Sequence, residues 1–271
     1  MQRIGQRALR ALLPDLDAAA FSAEAFHAAG VFVVRNAIPA ETIAAWQAAW
    51  RDFCDVELAG GRKVNRFNPV AVDEQPPPPL ADMHRHPALL DVVAQAFGPD
   101  IALYNQRFVV KDQHSRGPVF LHQDYPYHLG WPNKASAFVP LSPMTPDNGG
   151  LVFYPGTHQY GYLGDAGEIN PEVLPPDWPA YSPSVAPGDI VLMHSLTWHR
   201  SGPHVGGPDR VLADIIYQPA DDPSGIALLR GQWRTEIFLD RKQTRLFVRS
   251  RTTRLVELQR EVDALKPPVA G

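Results

Sequence analysis

One cysteine, Cys54, stands in the whole chain of 271 residues. It allows no intrachain disulfide, which points to a reducing compartment and to a cytoplasmic protein. Within its helical surroundings it reads as a small buried hydrophobe. Long apolar runs are missing as well: no stretch approaches the ~20 residues of a membrane span. The N-terminal "MQRIGQRALRALLPDLD" bears arginines but neither a signal-peptide apolar core nor a cleavage site. Positive charge is not in excess, since the formal net charge is −4 and the pI about 6.2. A nucleic-acid partner, which asks for a basic face, is therefore not expected, nor is a membrane. There is no internal repeat of solenoid or propeller type. A chain of 271 residues fits one large domain or two small ones, and a single domain spanning 1–271 is the expectation.

Turn-forming residues are abundant instead. The chain carries 28 prolines and 20 glycines, about 18% together, against ~12% in average usage. They are dispersed, which favours many short strands over a helical bundle. A helical N-terminal part, about 1–99, comes first. Ser22 is a candidate cap and Gly30 a stop for a helix over 22–30, followed by a short strand over 31–37. Pro39 opens a second helix with Ile43, Trp46, Ala49, Trp50 and Phe53 at helical spacing. "QPPPPL" (75–80) must be a stiff loop, and 86–98 is a further amphipathic helix closed by Gly98. From about 100 to 220 the period changes. Segments 101–111, 135–141, 150–156, 182–194 and 210–219 read as strands, too closely spaced for crossover helices and hence antiparallel. The expected fold is mainly β, a sandwich or barrel core flanked by α-helices at both termini. In the extension over 221–271, Leu255, Leu258, Val262 and Leu265 form one helical stripe. It is expected to pack on its own domain, or else to join two copies, so that the protein is a monomer or a homodimer through this helix.

Seven of the ten histidines fall in the β-rich segment. "FLHQDYPYHLG" (120–130) sets His122 and Asp124 two apart. Residues i and i+2 of a strand project to one face, so an imidazole and a carboxylate can share one ion. A second imidazole from a distant strand would complete a 2-His-1-carboxylate triad with open positions. "APGDIVLMHSLTWHRSGPHVGGPDRVLADIIY" (186–217) offers His194 and His199 for that role. Arg210, eleven residues beyond His199, is suited to bidentate binding of a carboxylate. A salt bridge from Arg210 to Asp214 is the structural alternative. His158 in "PGTH" reads as a residue that ties a turn.

Residues about 20–219 resemble the phytanoyl-CoA dioxygenase family, Fe(II)/2-oxoglutarate oxygenases that include ectoine hydroxylases. The resemblance is carried, in family order, by "FHAAGVFVVRNAIPAE", "HQD" (122–124), "DNGGLVFYPGTHQYG" (147–161), "PGDIVLMHSLTWHRSG" and Arg210. It implies a double-stranded β-helix, the cupin-like jelly roll, as the core. It implies Fe(II) on His122, Asp124 and His199, with 2-oxoglutarate and O2 as cosubstrates. Arg210 would hold the distal carboxylate of the keto acid with Ser201 beside it. Gln106, and less directly Lys111, would contribute from the strand before "HQD", and Phe138 would line the cosubstrate. The implied reaction is hydroxylation of an unactivated C–H with release of succinate and CO2; family halogenases lack the carboxylate ligand, whereas Asp124 is present. "YPYHLGWPNK" (125–134) follows two ligands directly and is expected to form a substrate wall with Tyr125, Tyr127, His128 and Trp131. Two other readings stand beside this one. One is a metal-dependent jelly-roll enzyme that does not use 2-oxoglutarate, and the other a non-catalytic small-molecule-binding member of the fold.

Overall fold

The computed structural model describes residues 5–60, 66–67, 78–164, 167–236 and 251–265. The chain opens with α1 (Gln6–Leu12), β1 (Asp17–Ala18), α2 (Ala23–Ala29), β2 (Val31–Val34) and α3 (Ala40–Ala59). Local chemistry sets these bounds. The Ser22 hydroxyl accepts the Ala25 N–H at 3.2 Å, and Gly30 ends α2 in the left-handed region at φ 77°. Of the proline-rich stretch expected to be a loop, 75–77 lie outside the described residues.

After β3 (Arg66–Phe67) and α4 (Pro87–Phe97) the strands dominate: β4 (Ile101–Lys111), β5 (Val119–His122), β6 (Ala135–Pro140) and β7 (Leu151–Tyr154). They continue with β8 (Ile190–His194), β9 (Trp198–Ser201), β10 (Arg210–Pro219) and β11 (Ala227–Arg230). The larger sheet has eight strands in the order β1-β2-β8-β6-β10-β4-β11, with β3 on β4; the smaller is β5-β9-β7. All pairings are antiparallel except β1 with β2. Two facing sheets with helices outside make this the jelly roll that the resemblance implied. The larger sheet recruits β1, β2 and β3 from before residue 100 and β11 from after 220, so the helical N-terminal part supplies strands to the sheet as well as its cover.

β4 and β10 are buried at nearly every position and therefore show no alternation in sequence. One face carries the helical layer. Trp50 of α3 stacks on Phe108 at 4.8 Å, and Tyr217 donates its hydroxyl to the His84 carbonyl at 3.0 Å. The other face looks toward the smaller sheet. The segment expected as one strand over 182–194 is shorter: only Ile190–His194 pairs continuously, because Gly188 at φ 105° turns the chain just before it.

The final helix, α5 (Arg251–Ala264), forms as the pattern predicts, but its stripe is not packed on this domain. Leu255, Leu258, Val262 and Leu265 are all exposed, Leu265 at 85%. No described helix is long and apolar enough to cross a membrane.

Candidate metal centre

β5 and β9 are neighbours in the smaller sheet, and their register sets His122 directly opposite His199. Phe153 of β7 backs His199 from the other side. Asp124 is not part of a strand. β5 ends at His122, and Asp124 sits in the following bend at φ −77°, ψ −33°. The backbone N–H groups of Asp124 and Tyr125 both donate to the Ser195 carbonyl, at 3.1 and 3.0 Å, which fixes the bend. Gln123 points away, with its amide donating to the Gly161 and Leu196 carbonyls at 2.8 and 2.9 Å.

The three side chains converge. Asp124 Oδ1 lies 3.5 Å from His122 Nε2 and 3.7 Å from His199 Nε2, with all ligand atoms within 4.8 Å of one another. Among the described residues this is the only such group of three. The tautomers follow from the outer hydrogen bonds. His122 Nδ1–H donates to the Phe120 carbonyl at 2.8 Å, and His199 Nδ1–H to the Thr197 carbonyl at 3.0 Å. In the neutral rings both Nε2 lone pairs then face a carboxylate oxygen. Three electron-rich atoms at such separations fit the donors around one ion, each ~2 Å from it.

Burial works to lower both histidines. In His122 the hydrogen bond and charge of Asp124 outweigh it and the pKa is raised, whereas His199 falls to about 4. Burial works to raise Asp124, but His199, His122 and Arg107 hold it well below the ordinary carboxylate range. A carboxylate that stays ionised beside a neutral imidazole is the state a divalent cation requires.

Beside the triad, between the two sheets, lies a cavity of about 70 Å³, several times the ~10–15 Å³ needed by one ordered water. Arg210, Ser201 and Phe138 all line it, together with Val109, Leu151 and Leu212. Arg210 is 2% exposed and has one described hydrogen bond, to the Gly149 carbonyl; its buried Nε has no partner. Burial lowers its pKa to about 10. The buried Ser201 hydroxyl also lacks a partner. Both orphaned groups ask for an acceptor in the cavity. The alternative salt bridge from Arg210 to Asp214 does not form, because Asp214 is held by Arg107 at 2.5 Å.

Two expected cosubstrate residues are placed elsewhere. Gln106 faces the helical layer: its amide donates to the Leu80 carbonyl at 2.7 Å, and its oxygen contacts His84 Nδ1 at 2.9 Å. The strand period of two puts Arg107 and Val109 on the cavity wall and Gln106 behind it. Lys111 stands across the ladder from Arg210 but is off the wall, with its ammonium on the Gly117 and Gly202 carbonyls at 2.6 and 2.5 Å. Burial, then the charge of Arg210, lowers its pKa to about 8. Lys111 therefore braces the loops at the Arg210 end.

None of the four candidate substrate residues lines the cavity. The exposed Tyr127 ring is 6.2 Å from that of His122. His128 packs on Tyr104 at 4.8 Å, the Tyr125 hydroxyl donates to the Gly130 carbonyl at 2.9 Å, and the Trp131 ring is exposed. Of the two candidate distal ligands, His199 is the one that converges with His122 and Asp124. His194 ends β8 in the other sheet, where burial pushes it to about 3 and its Nδ1 accepts the Leu196 N–H at 3.2 Å. His158 does tie a turn, donating Nε2–H to the His27 carbonyl at 3.0 Å. Sequence reasoning missed Arg107, whose parity on a strand buried on both faces is not visible in the chain. It also missed Ser195, whose role lies in its backbone.

Two imidazoles and one carboxylate on a jelly roll, open on one side, define the class of facial-triad metal sites seen in non-heme iron oxygenases. Residues 26–211 match the family profile "Phytanoyl-CoA dioxygenase (PhyH)", and the chain belongs to that family. A curated relative, the 1-deoxypentalenic acid 11-beta-hydroxylase of Streptomyces arenae, is 29% identical over 171 residues. That match covers 55% of this chain and 60% of the relative, so the chain spans less than two thirds of that protein's length. Among solved structures, the non-heme monooxygenase ThoJ in its apo form superposes with a TM-score of 0.63 at 22% identity, covering 89% of this chain and 99% of that one. EctD from S. alaskensis with 2-oxoglutarate and 5-hydroxyectoine gives 0.62 at 19% identity, covering 79% and 84%. At these identities the two structures speak for the fold alone.

Proposed function

We propose that this protein is an Fe(II)- and 2-oxoglutarate-dependent dioxygenase that hydroxylates an unactivated C–H of a small metabolite, with release of succinate and CO2. The observation that carries the reading is one cavity joining a convergent His122–Asp124–His199 triad to a buried arginine that has no counter-ion among the described residues. Iron(II), when bound with 2-oxoglutarate and O2, supplies the oxidising chemistry. The protein's own residues do the rest. His122, Asp124 and His199 would hold the metal through two imidazole nitrogens and a carboxylate oxygen. Arg210 binds the distal carboxylate of the keto acid through its free N–H groups, with the Ser201 hydroxyl donating beside it. Phe138, Leu151 and Leu212 keep that wall apolar, so water competes poorly for the site. The acid named in the relative from Streptomyces arenae is consistent with a small biosynthetic metabolite as substrate. The single cysteine suits a reducing compartment, and we place the protein in the cytoplasm.

The test is anaerobic reconstitution with Fe(II) and then aerobic incubation with 2-oxoglutarate and ascorbate. Succinate is expected to form slowly without substrate and faster with the right metabolite, with a gain of one oxygen by mass. Protein that binds neither iron nor 2-oxoglutarate would overturn the reading.

A further inference from the structure

Two further arginines border the cavity: the exposed Arg200, whose Nε donates to the Tyr154 hydroxyl at 3.2 Å, and Arg107, for which the roles above have no use. Arg107 lines the wall, and its Nε donates to Asp214 Oδ2 at 2.5 Å directly across the β4–β10 ladder. An arginine has five N–H donors in a fixed fork. Asp214 takes one of them here, and the two terminal nitrogens meet no acceptor among the described residues. The side chain is 24% exposed, so these nitrogens are open to the cavity and available to an acceptor that enters it.

Position separates this group from Arg210. Asp214 and Arg210 are four residues apart on β10, roughly 13 Å of strand. The Ser136 hydroxyl donates to Asp124 at 3.5 Å, and Ser136 pairs with Ile216 of β10, two residues from Asp214 and six from Arg210, so Arg107 stands at the triad end and Arg210 at the far end. The surface between and around them is apolar, with Val109, Val119, Leu151 and Leu212. An anion at the triad end, attached to an apolar body, is the ligand this lining describes.

We propose that Arg107 is an anion receptor for the prime substrate. The terminal N–H groups of its guanidinium take a carboxylate, or a comparably small oxyanion, on an otherwise apolar molecule, and so fix which C–H lies beside the metal. This rests on the function proposed above and names a substrate class for it. Asp214 fills the Nε edge and aims the fork, while the terminal edge is the one that fits a carboxylate in bidentate fashion.

The experiment uses the anaerobic Fe(II)·2-oxoglutarate complex and two probes of nearly one shape, cyclohexanecarboxylate and its neutral amide, titrated by calorimetry while retention of 2-oxoglutarate is followed. Wild type is expected to bind the acid at least about tenfold more tightly than the amide, the effect of one charge-assisted hydrogen-bonded contact. Arg107→Gln should abolish that preference and leave the affinity for 2-oxoglutarate within about twofold; Arg107→Lys should restore part of it. Arg107→Gln strands the buried Asp214 charge, so R107Q/D214N, which removes both charges, guards against simple misfolding. Equal binding of acid and amide to wild type, an unchanged preference in R107Q/D214N, or displacement of 2-oxoglutarate by the acid would each overturn the proposal. So would a marked loss of 2-oxoglutarate affinity in R107Q/D214N, which would make Arg107 a cosubstrate residue. Failure of wild type to bind 2-oxoglutarate at all would instead defeat the function on which the proposal rests, and the proposal with it.

Discussion

Arg210 is buried with its Nε unpartnered, so removing its side chain takes away a receptor and breaks no ion pair among the described residues. Arg210→Ala is expected to weaken 2-oxoglutarate binding by about 10- to 100-fold, the worth of hydrogen bonds to a charged group, with iron binding retained. Equilibrium dialysis against labelled keto acid checks it. The histidines divide in the same way. His199→Ala should abolish stoichiometric iron binding, whereas His194→Gln should keep it, as read by metal analysis after anaerobic reconstitution. The chain itself shows His122 and Asp124 as a pair, because their spacing is local. It leaves His194 and His199 open, since both follow apolar strand residues. The register separates them: His199 faces His122 across β9–β5, while His194 faces Ala135 in the other sheet. Long-range pairing of this kind leaves no mark on the local pattern.

At the scale of elements, β4 shows why some site residues are legible and others are not. Its identity as a strand is clear, but burial on both faces erases the alternation that would tell Gln106 from Arg107. A slip of one residue moves a side chain from the cavity to the helical layer. The loop over 125–134 is tied down by a network that its sequence does not reveal. The wholly buried Lys134 ammonium pairs with Asp222, whose Oδ2 accepts the Trp131 N–H at 2.8 Å and whose Oδ1 accepts the Ser224 N–H at 2.9 Å. Gly130, at φ 75°, lies so close to Asp222 that an added Cβ would fall 2.1 Å from its Oδ1. Asp222→Asn removes the carboxylate that neutralises the buried Lys134 ammonium and is expected to cost about 3 kcal/mol in denaturant unfolding. The pH dependence has a definite sign. Burial acts to raise Asp222, and the hydrogen bond and charge of Lys134 overcome it, so the folded pKa is lowered. Its contribution is complete above the unfolded value near ~3.9 and disappears as pH falls through the folded value. The stability gap between wild type and Asp222→Asn should therefore close in acid.

Over the whole molecule, the antiparallel core and its helical cover follow from proline and glycine punctuation and from the switch of hydrophobic period near residue 100. The partition between two sheets does not, nor does the entry of β2 beside β8, since both depend on contacts far apart in the chain. The stripe of α5 was readable as a helix face, yet what it packs against is not written in its spacing, and here it is exposed. A site assembled from both sheets should also brace the fold when filled. Fe(II) with 2-oxoglutarate at about 100 times the dissociation constant adds about 2.7 kcal/mol to stability, and several degrees in Tm are expected by anaerobic thermal unfolding. Asp124→Ala should lose that gain.

The most direct measurement is the anaerobic binding isotherm of 2-oxoglutarate to wild type, with and without stoichiometric Fe(II). One keto acid per iron is expected, with affinity that rises sharply when the metal is present and falls in Arg210→Ala. A chain that binds 2-oxoglutarate equally well without iron, or not at all, would contradict a metal and cosubstrate site built from His122, Asp124, His199 and Arg210.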